Sequence, residues 1–188
     1  MVTLPPSWPE GRVIVKRLRR FLKTPLSRQC LMVEAALQLA LAWMMVRLLP
    51  FRWWSPRLGE ASAGEPPPGD GVDDPRAHAI SGAVTAINRA VGGRFTCLML
   101  AVAGQRMLNR RRISSSLVLG TRTERAEAEG PSLTAHAWLR VGSQVILGGH
   151  DGRYLPVASF VRRYRHQAPE WGQKAARDGG DVWDERGE

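Results

Sequence analysis

Phe95-Thr96-Cys97-Leu98-Met99-Leu100-Ala101-Val102-Ala103-Gly104-Gln105 is the stretch on which the fold turns, and Ala135-His136-Ala137-Trp138 is its counterpart downstream. The first reads as an apolar helix beginning near Thr96 or Cys97 and continuing to Arg111, with Thr96 as its N-cap. Cys97 then falls in the first helical turn, where unpaired backbone N–H groups and the positive end of the helix dipole stabilise a thiolate. The same N–H groups would stabilise a developing oxyanion. The second stretch reads as a strand. His136 lies between two alanines that leave room for a helix end, and Trp138 shares its strand face. A thiol at a helix N-terminus with a strand imidazole is the minimal set for a cysteine nucleophile and its general base. The bland alternatives are a cysteine buried as a small hydrophobe and a structural or exposed histidine. Cys30, inside a long apolar run, reads as core filler of that kind.

A third group should orient the imidazole. With Val141 and Gln144 flanking a two-residue turn at Gly142-Ser143, His136 lies opposite Gly149. Gly148 and His150 then point to the other face, and Asp151 becomes the diagonal neighbour of His136, roughly 7–8 Å away between backbones. Asp151 is therefore the candidate acid. His78, His150 and His166 fall in loops or at element ends and carry no comparable context.

Outward from this centre the chain divides into five parts. Residues 1–12 read as disordered, 13–58 as an N-terminal helical region, 59–74 as a Pro/Gly linker, 75–163 as the core and 164–188 as a polar tail. In the second part a basic amphipathic segment leads to a long helix from Arg28 to Leu49, capped by Ser27 and stopped by Pro50. Glu34, Gln38 and Arg47 interrupt its apolar run, which favours a buried or amphipathic helix over a membrane span. Phe51, Trp53 and Trp54 suit either an interfacial anchor or a packing cluster at the helix corner. In the core, a helix from about Pro75 to Ala90 ends at Gly92-Gly93. After the Cys97 helix come a short buried strand at Ser116–Gly120, a charged loop from Arg122 to Pro131, a hairpin of Thr134–Val141 with Gln144–Gly149, and a last element at Tyr154–Phe160.

Composition narrows the function. The chain has 188 residues, 44% of them hydrophobic, enough for one ordinary core. Two cysteines make no disulfide framework, and nothing spaces them as zinc ligands, so no metal or cofactor is expected. The Pro-rich start lacks the pattern of a secretory signal, and the reading is a cytoplasmic, reduced protein with a peripheral contact to the inner membrane face left open. The net charge of +10 gathers in Lys16–Arg20, Arg110–Arg112 and Arg162–Arg165. These clusters are either solvated helix ends or contacts for an acidic peptide, a membrane surface or RNA. Apolar strands without interleaved basic and aromatic residues argue against nucleic acid.

Taken in order, Phe95–Leu98 with Ala101–Gln105, Met107-Leu108 and Arg110–Arg112, then Leu117–Gly120, Ala135–Leu139 and Val145–Gly149, resemble the lasso-peptide leader peptidases. These are the transglutaminase-like "B" proteins of lasso-peptide clusters, of the microcin-processing type. Leu48-Leu49-Pro50-Phe51 followed by Leu58-Gly59 is similar to their N-terminal helix end, and the likeness runs over residues 16–163. It implies an α+β fold: a transglutaminase/papain-like cysteine-peptidase core, with the nucleophile helix packed on a small antiparallel sheet. It implies that Cys97 attacks the last leader-peptide bond and that His136 serves as base and then acid. In that family the acid commonly sits where this chain has Gly148, so Asp151 acts from a shifted position or the site is a dyad. Some relatives carry an N-terminal winged-helix recognition domain; here a long helix and a Pro-rich linker fill residues 1–96, so the chain resembles the split form. The implied partners are the precursor peptide, a separate leader-recognition protein and an asparagine-synthetase-like, ATP-dependent cyclase. Two rival readings are a non-catalytic scaffold presenting the precursor to the cyclase, and a basic membrane-surface protein.

Overall fold

The computed structural model describes residues 25–66, 74–126, 130–149 and 152–164. Helix α1 spans Leu26–Leu48 and is followed by a short helix α2 (Phe51–Trp54) and a single 3-10 turn at Ser55–Arg57. Then come β1 (Glu60–Ala63), α3 (Pro75–Ala90), α4 (Cys97–Arg110), β2 (Ser115–Ala126), β3 (Gly130–Val141), β4 (Gln144–Leu147) and β5 (Leu155–Arg162). The strands form one antiparallel sheet in the order β1-β5-β2-β3-β4. This is an α+β fold, with α4 against the sheet and α1 and α3 against α4.

Strand alternation sorts the sheet into two faces. Leu117, Ala137, Leu139, Val141 and Leu147 enter a core shared with Val102, Met107 and Leu108 of α4 and with Leu39 and Ala42 of α1. Each fully buried leucine there contributes about 1.5–3 kcal/mol relative to exposure. On the other face Val118 and Trp138 are buried, and Arg140 is ion-paired with Glu65. Gln105 donates to the Phe160 carbonyl at 3.1 Å, tying α4 to β5 inside the core.

Several elements differ from the sequence reading. α1 starts at Leu26 with Pro25 in the cap position and no side-chain cap, because proline's fixed φ suits a helix entry and Ser27 already lies inside the helix. Glu60–Ala63, within the stretch read as linker, pairs with β5 from Glu60↔Val161 to Ala63↔Ala158. β2 and β3 run far into the charged segment read as loop, paired from Ser116↔Arg140 to Ala126↔Gly130, since cross-strand pairing overrides the polar composition. Cys30 is exposed on α1 and does not fill the core.

Candidate active site

The N-terminus of α4 is fixed from two sides. The Thr96 side chain accepts from the Met99 N–H at 3.4 Å, and the first helical bond runs from the Leu100 N–H to the Thr96 carbonyl. Just upstream, the Asn88 side chain near the end of α3 accepts from the Phe95 N–H at 3.1 Å. Gly92 and Gly93 reverse the chain between these anchors. Cys97 is thus the first residue of α4, as its sequence position predicts, with Thr96 as the cap. Its side chain is half-buried and packs against the edge of the core. The first N–H groups of the helix have no intrahelical acceptor and point toward any anion formed at this end.

His136 lies on β3 opposite Gly120. Its Nε2 is 3.0 Å from the Gly148 carbonyl oxygen. A carbonyl only accepts, so Nε2 donates its proton, and in the neutral imidazole Nδ1 is the nitrogen able to take one. The ring is flanked by Trp138, nearly parallel at 6.2 Å between centroids, and by Tyr154 at 4.8 Å. Arg122 lies 5.4 Å above the Tyr154 ring, a cation–π pair that fixes the aromatic against the imidazole. Gly120 makes the space for this cluster: a Cβ there would approach the Trp138 ring to 2.6 Å.

The hairpin departs from the simple register on which the choice of Asp151 depends. Val141↔Gln144 and Arg140↔Val145 pair as that register requires, but Leu139 pairs with Leu147. Ile146 is therefore an extra residue, a bulge, and the Ser81 hydroxyl of α3 donates to its carbonyl. The one-residue shift exchanges the faces of everything beyond it, so Gly149 does not fall opposite His136. Asp151 itself lies outside the described residues, as do His150 and His166. Among the described residues the Cys97 thiol makes no hydrogen bond, and alternation along β3 sends Ala137 and Leu139 toward α4 while His136 takes the alternate position. Because β4 ends at Leu147, the flank of β3 at His136 is met by Gly148 and not by a paired strand.

Residues 45–166, more than half of the chain, match the transglutaminase-like superfamily domain. The chain belongs to this superfamily. The matched span begins in the last turn of α1 and contains both Cys97 and His136. No curated relative and no solved structure matches the chain. A transglutaminase-like domain with a helix-terminal thiol is compatible with cysteine-peptidase chemistry. Three contributors to this transglutaminase-like site were not found from sequence: the Gly148 carbonyl, Tyr154 and Asn88. The carbonyl has no side-chain signature, and Tyr154 and Asn88 act through loop geometry that no periodicity records.

Proposed function

We propose that this chain is a cysteine peptidase that removes the leader from a ribosomally made lasso-peptide precursor. The observation that carries the reading is Cys97 at the capped start of α4 in a transglutaminase-like domain whose β3 bears His136. In this mechanism His136 Nδ1 takes the thiol proton, and Cys97 Sγ attacks the carbonyl carbon of the last leader residue. The oxyanion is met by the first N–H groups of α4. The tetrahedral intermediate collapses as the imidazolium returns its proton to the departing core amine, leaving the leader acyl group on sulfur as a thioester. Water, deprotonated by His136, then releases the leader acid. The step requires the His136 imidazole, which takes the position along β3 alternate to the α4-facing Ala137 and Leu139, to reach Cys97 Sγ in the peptide-bound state. Asp151 is the acid proposed to orient His136. The proposed partners are a separate recognition protein that presents the leader and an asparagine-synthetase-like cyclase that consumes the freed amine.

The test is incubation of a precursor peptide with its recognition protein and this chain, followed by mass spectrometry. Wild type should give leader and core fragments, and Cys97→Ala should give none. Cleavage that survives the substitution removes the mechanism. A scaffold would support cyclisation of a pre-cleaved core equally well with either version, whereas a peptidase is needed only for the intact precursor.

A further inference from the structure

Helix α1 is apolar on two opposite sides. Ala35, Leu39, Ala42 and Met45 are buried in the core. Diametrically across, Leu26, Cys30, Val33, Leu37, Met44 and Leu48 follow one another at helical spacing and are exposed, Leu37 and Leu48 each to 65%. Trp43, Phe51 and Trp53 widen the exposed patch at the C-terminal end of the helix, while Trp54 turns inward. An outward apolar stripe of this length, ending in aromatics, is an interaction surface and not ordinary surface scatter.

Charge decides what it fits. From Leu26 to Leu58 the sole carboxylate is Glu34, held by Arg111 at 2.6 Å and by Arg110 at 3.3 Å. Flanking the C-terminal end of the stripe stand the exposed Arg47 and Arg52. Arg106, half-buried beside Gln38, is pushed below the ordinary arginine range by burial and then by the like charges of Arg110 and Arg57. The rim is thus cationic with its one acid already neutralised.

We propose that the outward face of α1, with its Trp43–Trp53 end, docks on an anionic lipid bilayer, the helix lying in the plane of the interface. By length and composition α1 is apolar enough to cross a membrane. Crossing would strip Leu39 and Ala42 from the core, whereas lying flat keeps them there and buries only the opposite stripe. Tryptophans at headgroup depth and arginines facing lipid phosphates complete the fit. This surface is independent of the peptidase chemistry, and loss of either leaves the other standing.

The test is co-sedimentation of the full chain with phosphatidylcholine vesicles and with vesicles of phosphatidylcholine mixed with phosphatidylglycerol. Binding should appear with the anionic vesicles and weaken as salt rises. Val33→Glu with Leu37→Glu should weaken it by at least about tenfold, and Arg47→Glu with Arg52→Glu should do the same at low salt, all with unchanged circular dichroism because these residues lie outside the core. Equal binding to both vesicle types, or none to either, overturns the proposal. A concentration-dependent dimer in sedimentation velocity, lost in the Val33→Glu, Leu37→Glu variant and unaccompanied by vesicle binding, also overturns it by assigning the face to a second copy.

Discussion

His136 donates its Nε2 proton to the Gly148 carbonyl, and that bond determines which nitrogen is left to accept one. Long-range proton–nitrogen NMR spectra of the neutral histidine should therefore show the Nε2–H tautomer. Gly148 has φ of +72°, and a Cβ there would lie 2.3 Å from the Ala137 carbonyl oxygen, a backbone atom that cannot give way. Gly148→Ala should displace the carbonyl and leave a mixture of tautomers. An unchanged Nε2–H signature in that variant would show that another group fixes the ring. The same geometry explains why residue 148 carries no acid: any side chain there meets the β3 backbone. Removing the imidazole by His136→Ala should slow peptide cleavage by about 10²–10⁴-fold or more. The two thiols offer an internal control. Exposed Cys30 should alkylate at the same rate in wild type and His136→Ala, while Cys97 should slow in the variant, as read from peptide maps. Equal Cys97 rates in both would detach the thiol from the imidazole.

At the scale of elements, α4 is the part that places the nucleophile, and it was the part most legible in the sequence. Its apolar spacing, the Thr96 cap and the Gly92-Gly93 break are local signals, and local signals are what a sequence carries. Thr96→Ala should cost about 1 kcal/mol in chemical denaturation by leaving the Met99 N–H without its acceptor. The Gly142-Ser143 turn was legible for the same reason. The Ile146 bulge was not, because its carbonyl is taken by Ser81, 65 positions away on α3. The extra residue at Ile146 removes the register on which Asp151 was chosen. The long arms of β2 and β3 were equally hidden, since pairing between Arg122 and Thr134 is a property of two strands together. Gly120→Val should cost about 1–3 kcal/mol by driving a side chain into the Trp138 ring and the Leu155 carbonyl.

For the molecule as a whole, Glu34 ties α1 to the end of α4, alongside the Arg106–Gln38 hydrogen bond. The Arg111 guanidinium, hydrogen-bonded to both carboxylate oxygens, holds Glu34 below the usual carboxylate range, with burial opposing and Arg110 assisting. A carboxyl depressed in the folded state contributes stability that is present above its unfolded value and lost as pH falls through its folded value. Glu34→Gln should therefore cost about 1 kcal/mol near neutral pH, and the gap to wild type should close on acidification below the usual carboxylate range. A gap that persists unchanged in acid would mean the loss is one of packing. The exposure of Cys30 also belongs to this scale: α1 is apolar on two opposite sides, so its sequence alone could not say which side the core would take. The proposed mechanism stands on an acyl-enzyme at Cys97, which intact-protein mass spectrometry of an acid-quenched reaction with precursor and recognition protein detects. Wild type should carry an adduct equal to the leader peptide less one water, mapped to Cys97 and absent from Cys97→Ala. Cleavage without any such adduct in rapid-quench samples, or an adduct mapped to Cys30, would contradict it.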